Sequence, residues 1–185
     1  MRIVGGRLKG RSLAAPSGSL TRPTTDRTRE ALFNILSHQH ADILENARVL
    51  DLFAGTGALG LEALSRGASY AHFVENNASA RAAIRTNIET FCLTGIARIY
   101  RRDATKLGPI GTLKPFNMVF LDPPYGRGLG ELALADASAN GWLVSGALAI
   151  WEEAATTEVS APNRFEILDE RSYGDTVIRF LQYAA

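Results

Sequence analysis

The chain has 185 residues and a mass of 20.0 kDa, which suits one domain, or one domain with a small appendage. Apolar residues make up 46% and charged residues 21%, enough for a packed core and against wholesale disorder. The formal net charge of +1 argues, as a bulk number, against a nucleic-acid partner, but residues 1–30 carry +5 and the other 155 carry −4.

The single cysteine, Cys92, cannot form an internal disulfide and fits a reducing compartment. No apolar run approaches the ~20 residues of a membrane span. Met1-Arg2-Ile3-Val4-Gly5-Gly6 has charge but no apolar stretch, so it does not read as a secretory signal. A soluble, cytoplasmic protein is expected.

Residues 1–23 are rich in Gly, Arg, Ser and Pro, with short apolar pairs at Ile3-Val4 and Leu13-Ala14. They read as an extended basic arm, with a short hairpin around Gly5-Gly6 or Gly10, ahead of a domain spanning 24–185. Pro23 precedes a helical pattern over about Thr25 to Ser37, with Thr25 or Asp26 as N-cap. Arg27 and Arg29 fall near its first turn, where cations oppose the helix dipole, which points to an anionic partner.

A βα alternation starts at residue 48. Strands are expected at Val49–Phe53, Ala71–Glu75, Arg98–Arg102, Met118–Leu121 and Leu148–Trp151, with helices near 58–66, 78–91 and 130–139. The β-rich runs 165–170 and 176–183, split by Ser172-Tyr173-Gly174-Asp175, read as a terminal hairpin. Together these give an α/β fold with a mostly parallel seven-stranded sheet, an antiparallel C-terminal hairpin and helices on both faces.

Gly55, Gly57 and Gly60 satisfy G-x-G-x-x-G after the first strand, a pattern shared by several adenine cofactors. Asp51 sits inside the apolar strand, where a buried carboxylate needs a cationic or hydrogen-bonding partner. The ammonium of S-adenosylmethionine suits it, and the pyrophosphate of NAD does not. Glu75 ends the second strand, where it is placed for ribose hydroxyls. Asp103 ends the third, placed for the adenine amino group with Ala104 beside it. Each acid alone is as readily a helix cap; three at successive strand ends mark the ligand edge of an open α/β sheet.

The fourth strand ends in Asp122-Pro123-Pro124-Tyr125. A nitrogen conjugated to a ring is a poor nucleophile. Asp122 and the Pro123 carbonyl can accept its hydrogens and turn its lone pair toward a methyl donor, while Tyr125 stacks on the base. Cys92, His38, His40 and His72 lack metal-ligand spacing, so no metal is expected.

The glycine loop and Asp-Pro-Pro-Tyr resemble those of Rossmann-like class I methyltransferases acting on exocyclic base amines. With Arg2-Ile3-Val4-Gly5-Gly6, Lys9-Gly10-Arg11 and the segment Arg22 to Phe33, the chain is more narrowly similar to the RsmD-type bacterial 16S rRNA guanine-N2 methyltransferases. The likeness covers nearly the whole chain, most strongly residues 22–75 and 118–125. It implies S-adenosylmethionine held by Asp51, Phe53, Ala54, Gly55, Thr56, Gly57, Glu75, Asn76, Asp103, Ala104 and Asp122, with Asp122, Pro123 and Tyr125 as catalytic residues. It implies methylation of N2 of guanine 966 in 16S rRNA within 30S particles, with ribosomal proteins present. It also gives Arg2, Arg7, Lys9, Arg11, Arg22, Arg27 and Arg29 phosphates to contact. The residues alone leave open an adenine-N6 methyltransferase of DNA or RNA, a non-catalytic RNA-binding assembly factor and an NAD oxidoreductase. A protein glutamine methyltransferase fits less well, since that group usually carries Asn at the position of Asp122.

Overall fold

The computed structural model describes residues 1–16 and 25–185. Seven strands form one sheet: β1 (Arg48–Leu52), β2 (Tyr70–Val74), β3 (Ala97–Tyr100), β4 (Phe116–Leu121), β5 (Leu143–Ala154), β6 (Phe165–Tyr173) and β7 (Thr176–Tyr183). Their order is β3-β2-β1-β4-β5-β7-β6. The first five strands are mutually parallel, and β7 pairs antiparallel with both β5 and β6. The helices are α1 (Asp26–Gln39), α2 (Ala41–Leu44), α3 (Ala58–Ser65), α4 (Ala78–Thr90) and α5 (Leu129–Ala139).

The expected architecture is therefore observed. β5 is longer than expected: it starts at Leu143, where Val144, Ser145 and Gly146 form an exposed stretch with no continuous apolar run, and it continues through Glu152 and Glu153 to Ala154. The short α2 was not anticipated.

Alternation along β1 and β4 divides the core into two layers. Val49, Met118 and Phe120 face α1, α3 and α4, joining Leu32, Phe33 and Leu36 in one cluster. Leu50, Leu52, Val119 and Leu121 face the other side, with Leu134 of α5 and Trp142. Strand order reverses between β1 and β4, so their carboxyl ends open the crevice where ligands bind in sheets of this kind.

The short hairpin expected around Gly5-Gly6 or Gly10 is present, but it packs against the core and is not an extended arm. Residues 1–13 fold back on themselves: Arg2 bridges Ser12, the Ile3 N–H donates to the Arg11 carbonyl at 2.9 Å, and Gly10 N–H donates to the Ile3 carbonyl at 2.8 Å. A 3-10 turn over Gly6–Leu8 closes this hairpin. Ile3 is 0% exposed and Leu13 is buried, both within the main apolar cluster. Ile3, Val4 and Leu13 of the two apolar pairs are thus buried, and their burial holds the segment down.

Helix α3 explains the docking. Six of its eight residues are buried because the hairpin covers its outer side. Glu62 accepts the Val4 N–H at 2.8 Å; Ser65 Oγ donates to the Gly5 carbonyl at 2.6 Å and accepts the Leu8 N–H at 2.9 Å. Gly6 makes the close approach possible: its φ is +73°, and a Cβ there would lie 2.0 Å from the Ser65 carbonyl oxygen. The proposed boundary between residues 23 and 24 lies outside the described residues.

Candidate active site

Parallel register brings the functional residues to one edge. Leu52 pairs with Val74 on one side and Leu121 on the other, so the turn after β1, Glu75 after β2 and Asp122 after β4 emerge together. The turn Phe53–Gly57 links β1 to α3. Phe53 has a φ of +60°, uncommon for an aromatic residue and a sign of a tightly held loop. The Ala54 N–H donates to the Val74 carbonyl, the Gly57 N–H returns to the Ala54 carbonyl, and Asn87 of α4 donates to the Thr56 carbonyl.

Asp51 is 2% exposed, on the α3 side of the sheet. Its Oδ2 accepts the Gly60 N–H at 2.9 Å, at the start of α3. A Cβ on Gly60 would sit 2.5 Å from the Phe73 ring and 3.0 Å from that oxygen, so a side chain there would displace the carboxylate. Burial pushes the Asp51 carboxyl up to about 8; the Gly60 N–H works the other way, and the Glu75 charge adds to the rise.

Glu75 holds the loops around the crevice. One carboxylate oxygen accepts the Gly55 N–H at 2.8 Å and the other the Asn77 N–H at 2.7 Å. Asn76 is exposed between them. Asp103 is exposed, and its Oδ1 takes the N–H and the hydroxyl of Thr105, which hold its carboxyl below the usual range. Ala104 is buried in the second core layer. Structure thus gathers Asp51, the glycine turn and Glu75 closely, and leaves Asp103 at the rim.

At the end of β4, Asp122 is half-buried, Pro123 is buried and Tyr125 is 41% exposed. Burial, then the carboxylates of Glu152, Asp51 and Glu153, hold Asp122 well above the ordinary carboxylate range. Glu152 and Glu153 were missed in the sequence, although two consecutive acids after the apolar run Leu148–Trp151 give the same signal that marked Asp51. Both are buried. Glu152 Oε1 accepts the Tyr125 hydroxyl at 2.7 Å, and Glu153 Oε1 accepts the N–H of Gly126 at 3.1 Å and of Ala154 at 2.9 Å.

Clustered carboxyls cannot all ionise without repelling one another, and burial raises that cost. A cation among them offsets both. These residues therefore fit a positively charged cofactor, and they fit a dinucleotide pyrophosphate poorly. Among the described residues no group of three or more His, Cys, Asp or Glu side chains is placed to hold a metal ion, and no helix is long and apolar enough to cross a membrane.

The cationic candidates separate into two kinds. Arg7, Lys9 and Arg27 are exposed; Arg2 is exposed and pairs with Asp26 at 3.5 Å. Arg11 donates to the Thr90 carbonyl at 3.1 Å and lies over the Phe91 ring. Arg2, Lys9 and Arg27 line a cavity of about 500 Å³ between the hairpin and α1, together with Asp26 and Glu30. Arg27 also lines a second cavity of about 400 Å³, beside Tyr173 and Gly174 of the β6–β7 turn.

Arg29 is a correction. It is 0% exposed, so its guanidinium is not available to a phosphate. The anionic partner it was expected to need is internal: Asp26 at 2.9 Å and Glu62 at 3.7 Å, with the Arg2 carbonyl also accepting from it. Glu62 in turn holds Arg66 at 2.8 Å, so this buried network fastens hairpin, α1 and α3 together. Arg22 lies outside the described residues.

Comparison with known proteins adds relatives to this geometry. A family described as "Conserved hypothetical protein 95" matches residues 1–182. The chain is 39% identical over 187 residues to "Ribosomal RNA small subunit methyltransferase D" of Escherichia coli (strain K12), covering 100% of this chain and 91% of that protein. It is 32% identical over 184 residues to the protein of the same name from Haemophilus influenzae, covering 98% and 93%. Among solved structures, "Putative methyltransferase yhhF" from Escherichia coli superposes with a TM-score of 0.84 at 36% identity, covering 100% of this chain and 98% of that one.

Proposed function

The chain belongs to the Conserved hypothetical protein 95 family, together with the small-subunit methyltransferase D proteins, and we propose that it methylates small-subunit ribosomal RNA at N2 of a guanine, using S-adenosylmethionine. The observation that carries this reading is the Asp122-Pro123-Pro124-Tyr125 loop set beside Asp51 across the point where strand order reverses. The relatives' names supply ribosomal RNA as the substrate; the 30S context and guanine 966 rest on the family resemblance.

When bound, S-adenosylmethionine supplies an electrophilic methyl group on a sulfonium. The residues of this chain do the rest. Asp51 takes the cofactor's ammonium, with its other interaction fixed on the Gly60 N–H. Glu75, braced by the Gly55 and Asn77 N–H groups, keeps the glycine turn in shape and faces the ribose. Asp122 and the Pro123 carbonyl accept the two hydrogens of the guanine amine, so the nitrogen lone pair is aimed at the methyl carbon. The new N–C bond would form as the carbon–sulfur bond breaks with its electron pair staying on sulfur. The carboxylates around the nitrogen stabilise its positive charge, and the nitrogen then loses one of its two hydrogens as a proton to water. Tyr125, exposed on the loop, stacks on the extruded base. The exposed cations Arg2, Arg7, Lys9 and Arg27 bind phosphates on the hairpin side.

The test is transfer of labelled methyl from S-adenosylmethionine to 30S particles from cells lacking this protein. Asp122→Ala is expected to lower the rate at least a hundredfold, on the scale of losing one preorganised polar contact, while particle binding persists. Equal rates in the two proteins would overturn the assigned chemistry.

A further inference from the structure

The sequence motif accounts for the presence of Tyr125 and not for its orientation. A ring that is to stack on a base must be held flat against it, yet Tyr125 is 41% exposed on a loop. Packing alone does not fix a ring this open to solvent. What fixes it is polar. Its hydroxyl donates to Glu152 Oε1 at 2.7 Å, and Thr176 Oγ1, the first residue of β7, lies 3.4 Å away. The main chain just beyond is tied as well, since the Gly126 N–H donates to Glu153 Oε1 at 3.1 Å.

We propose that Glu152 is a positioning residue: it grips the Tyr125 hydroxyl and fixes the ring as a preformed platform for the target base. Glu153 secures the backbone of the same loop. Consecutive strand residues point to opposite faces, so both reach one loop only because they lie at the end of β5, where β4 has already turned away after Leu121. A carboxylate is well suited to this task. Its oxygen accepts the phenol hydrogen at short range, and burial of Glu152 limits competition from water.

The grip also explains why a terminal hairpin matters to a site built on the parallel strands. β7 pairs with β5 from Leu148 to Ala154, so Glu152 is backed by Ile178 and Glu153 by Val177. Thr176 then closes the contact from the hairpin side. Tyr125 is thereby tied to β5 and β7, on the side of the crevice away from the glycine turn.

This inference rests on the proposed methyl transfer, and its test has an arm that does not. The protein is labelled with 3-fluorotyrosine, and the Tyr125 signal among the five tyrosines is assigned by its loss in Tyr125→Phe. In Glu152→Ala the fluorine resonance is expected to shift and sharpen as the ring is released. In Glu152→Gln, which keeps an acceptor oxygen, it is expected to stay close to the wild-type position. A resonance unmoved in Glu152→Ala overturns the grip whatever the activity. Removing one of several crowded carboxylates relieves repulsion, so these variants are expected to fold; matched thermal melts check this.

The second arm is methyl transfer. Glu152→Ala and Tyr125→Phe are each expected to lower kcat about 10- to 100-fold, the scale of a small misplacement in a reacting pair. Glu152→Gln is expected to recover most of the rate. The double variant Tyr125→Phe, Glu152→Ala should be no slower than the worse single one, because both remove the same contact. Fully multiplicative losses, or unchanged kcat with a released ring, overturn the positioning role. If wild-type protein transfers no methyl at all, the proposed function fails, and the fluorine arm still decides whether Glu152 holds Tyr125.

Discussion

Asp51 offers a quantitative test of how the cofactor is held. Its carboxyl is pushed up to about 8, so the ligand-free protein keeps it mostly protonated at neutral pH. A cofactor ammonium needs the carboxylate. Binding then removes a proton from Asp51, and affinity must rise with pH until the free group has ionised. The fraction ionised in the free protein is about 1% at pH 6 and about one half at pH 8, so linkage predicts a gain of about 50-fold in affinity over that interval. The cofactor's α-amino group loses its own proton near the top of the window, and Asp51→Asn isolates that effect. Calorimetric titrations with S-adenosylmethionine at pH 6, 7 and 8 should give wild-type and Asp51→Asn dissociation constants that converge at pH 6 and part by roughly this factor at pH 8. Proton release, read from buffers of different ionisation enthalpy, should accompany wild-type binding only. Parallel pH profiles for the two proteins would refute the account of Asp51.

Two further outcomes follow from groups away from the reacting loop. His72 is buried among Tyr70, Tyr100, Phe116 and Trp142, and burial, then Arg98 and Arg48, lower its imidazole from 6.5 to about 4. The unfolded chain therefore takes up a proton that the native protein refuses. Stability is full above pH 6.5 and falls as pH drops toward 4, by about 3 kcal/mol at most. Denaturant melts at pH 7 and 4.5 should show a smaller acid loss in His72→Phe; equal losses in both proteins would contradict this. On the cationic side, replacing Arg2, Lys9 and Arg27 by Ala should weaken binding to 30S particles and lower the salt slope by about 2 to 3. Affinity measured between low and moderate salt checks it, and an unchanged slope would remove these residues from the phosphate contacts.

The residues that carried the sequence reading have local signals. Asp51 stood out because an acid inside an apolar strand is costly without a partner, and Asp122-Pro123-Pro124-Tyr125 because its residue types fit one chemistry. The mostly parallel sheet and its terminal antiparallel hairpin were legible because apolar runs separated by helical periods leave few ways to connect a parallel sheet. The docking of the N-terminal hairpin onto the core was not. Ile3-Val4 and Leu13-Ala14 are too short to show a period, and their polar partners lie far along the chain, with Val4 and Glu62 separated by 58 positions. Glu62 reads as a surface residue of a short helix until the hairpin covers it. Arg29 was misplaced by the same blindness, since a basic residue in a basic segment looks like its neighbours. Glu152 and Glu153 had a readable signal, but their role depends on the hydroxyl and N–H groups of a loop 27 residues earlier.

The central claim is that Asp122 and its loop methylate the exocyclic amine of one guanine in small-subunit RNA. The measurement that tests it most directly is mass mapping of 16S RNA from particles incubated with this protein and isotopically labelled S-adenosylmethionine. The account predicts a single labelled guanine carrying the methyl on N2, absent with Asp122→Ala. Label on adenine N6, label on DNA in preference to the particles, or no label in any nucleic acid would contradict it.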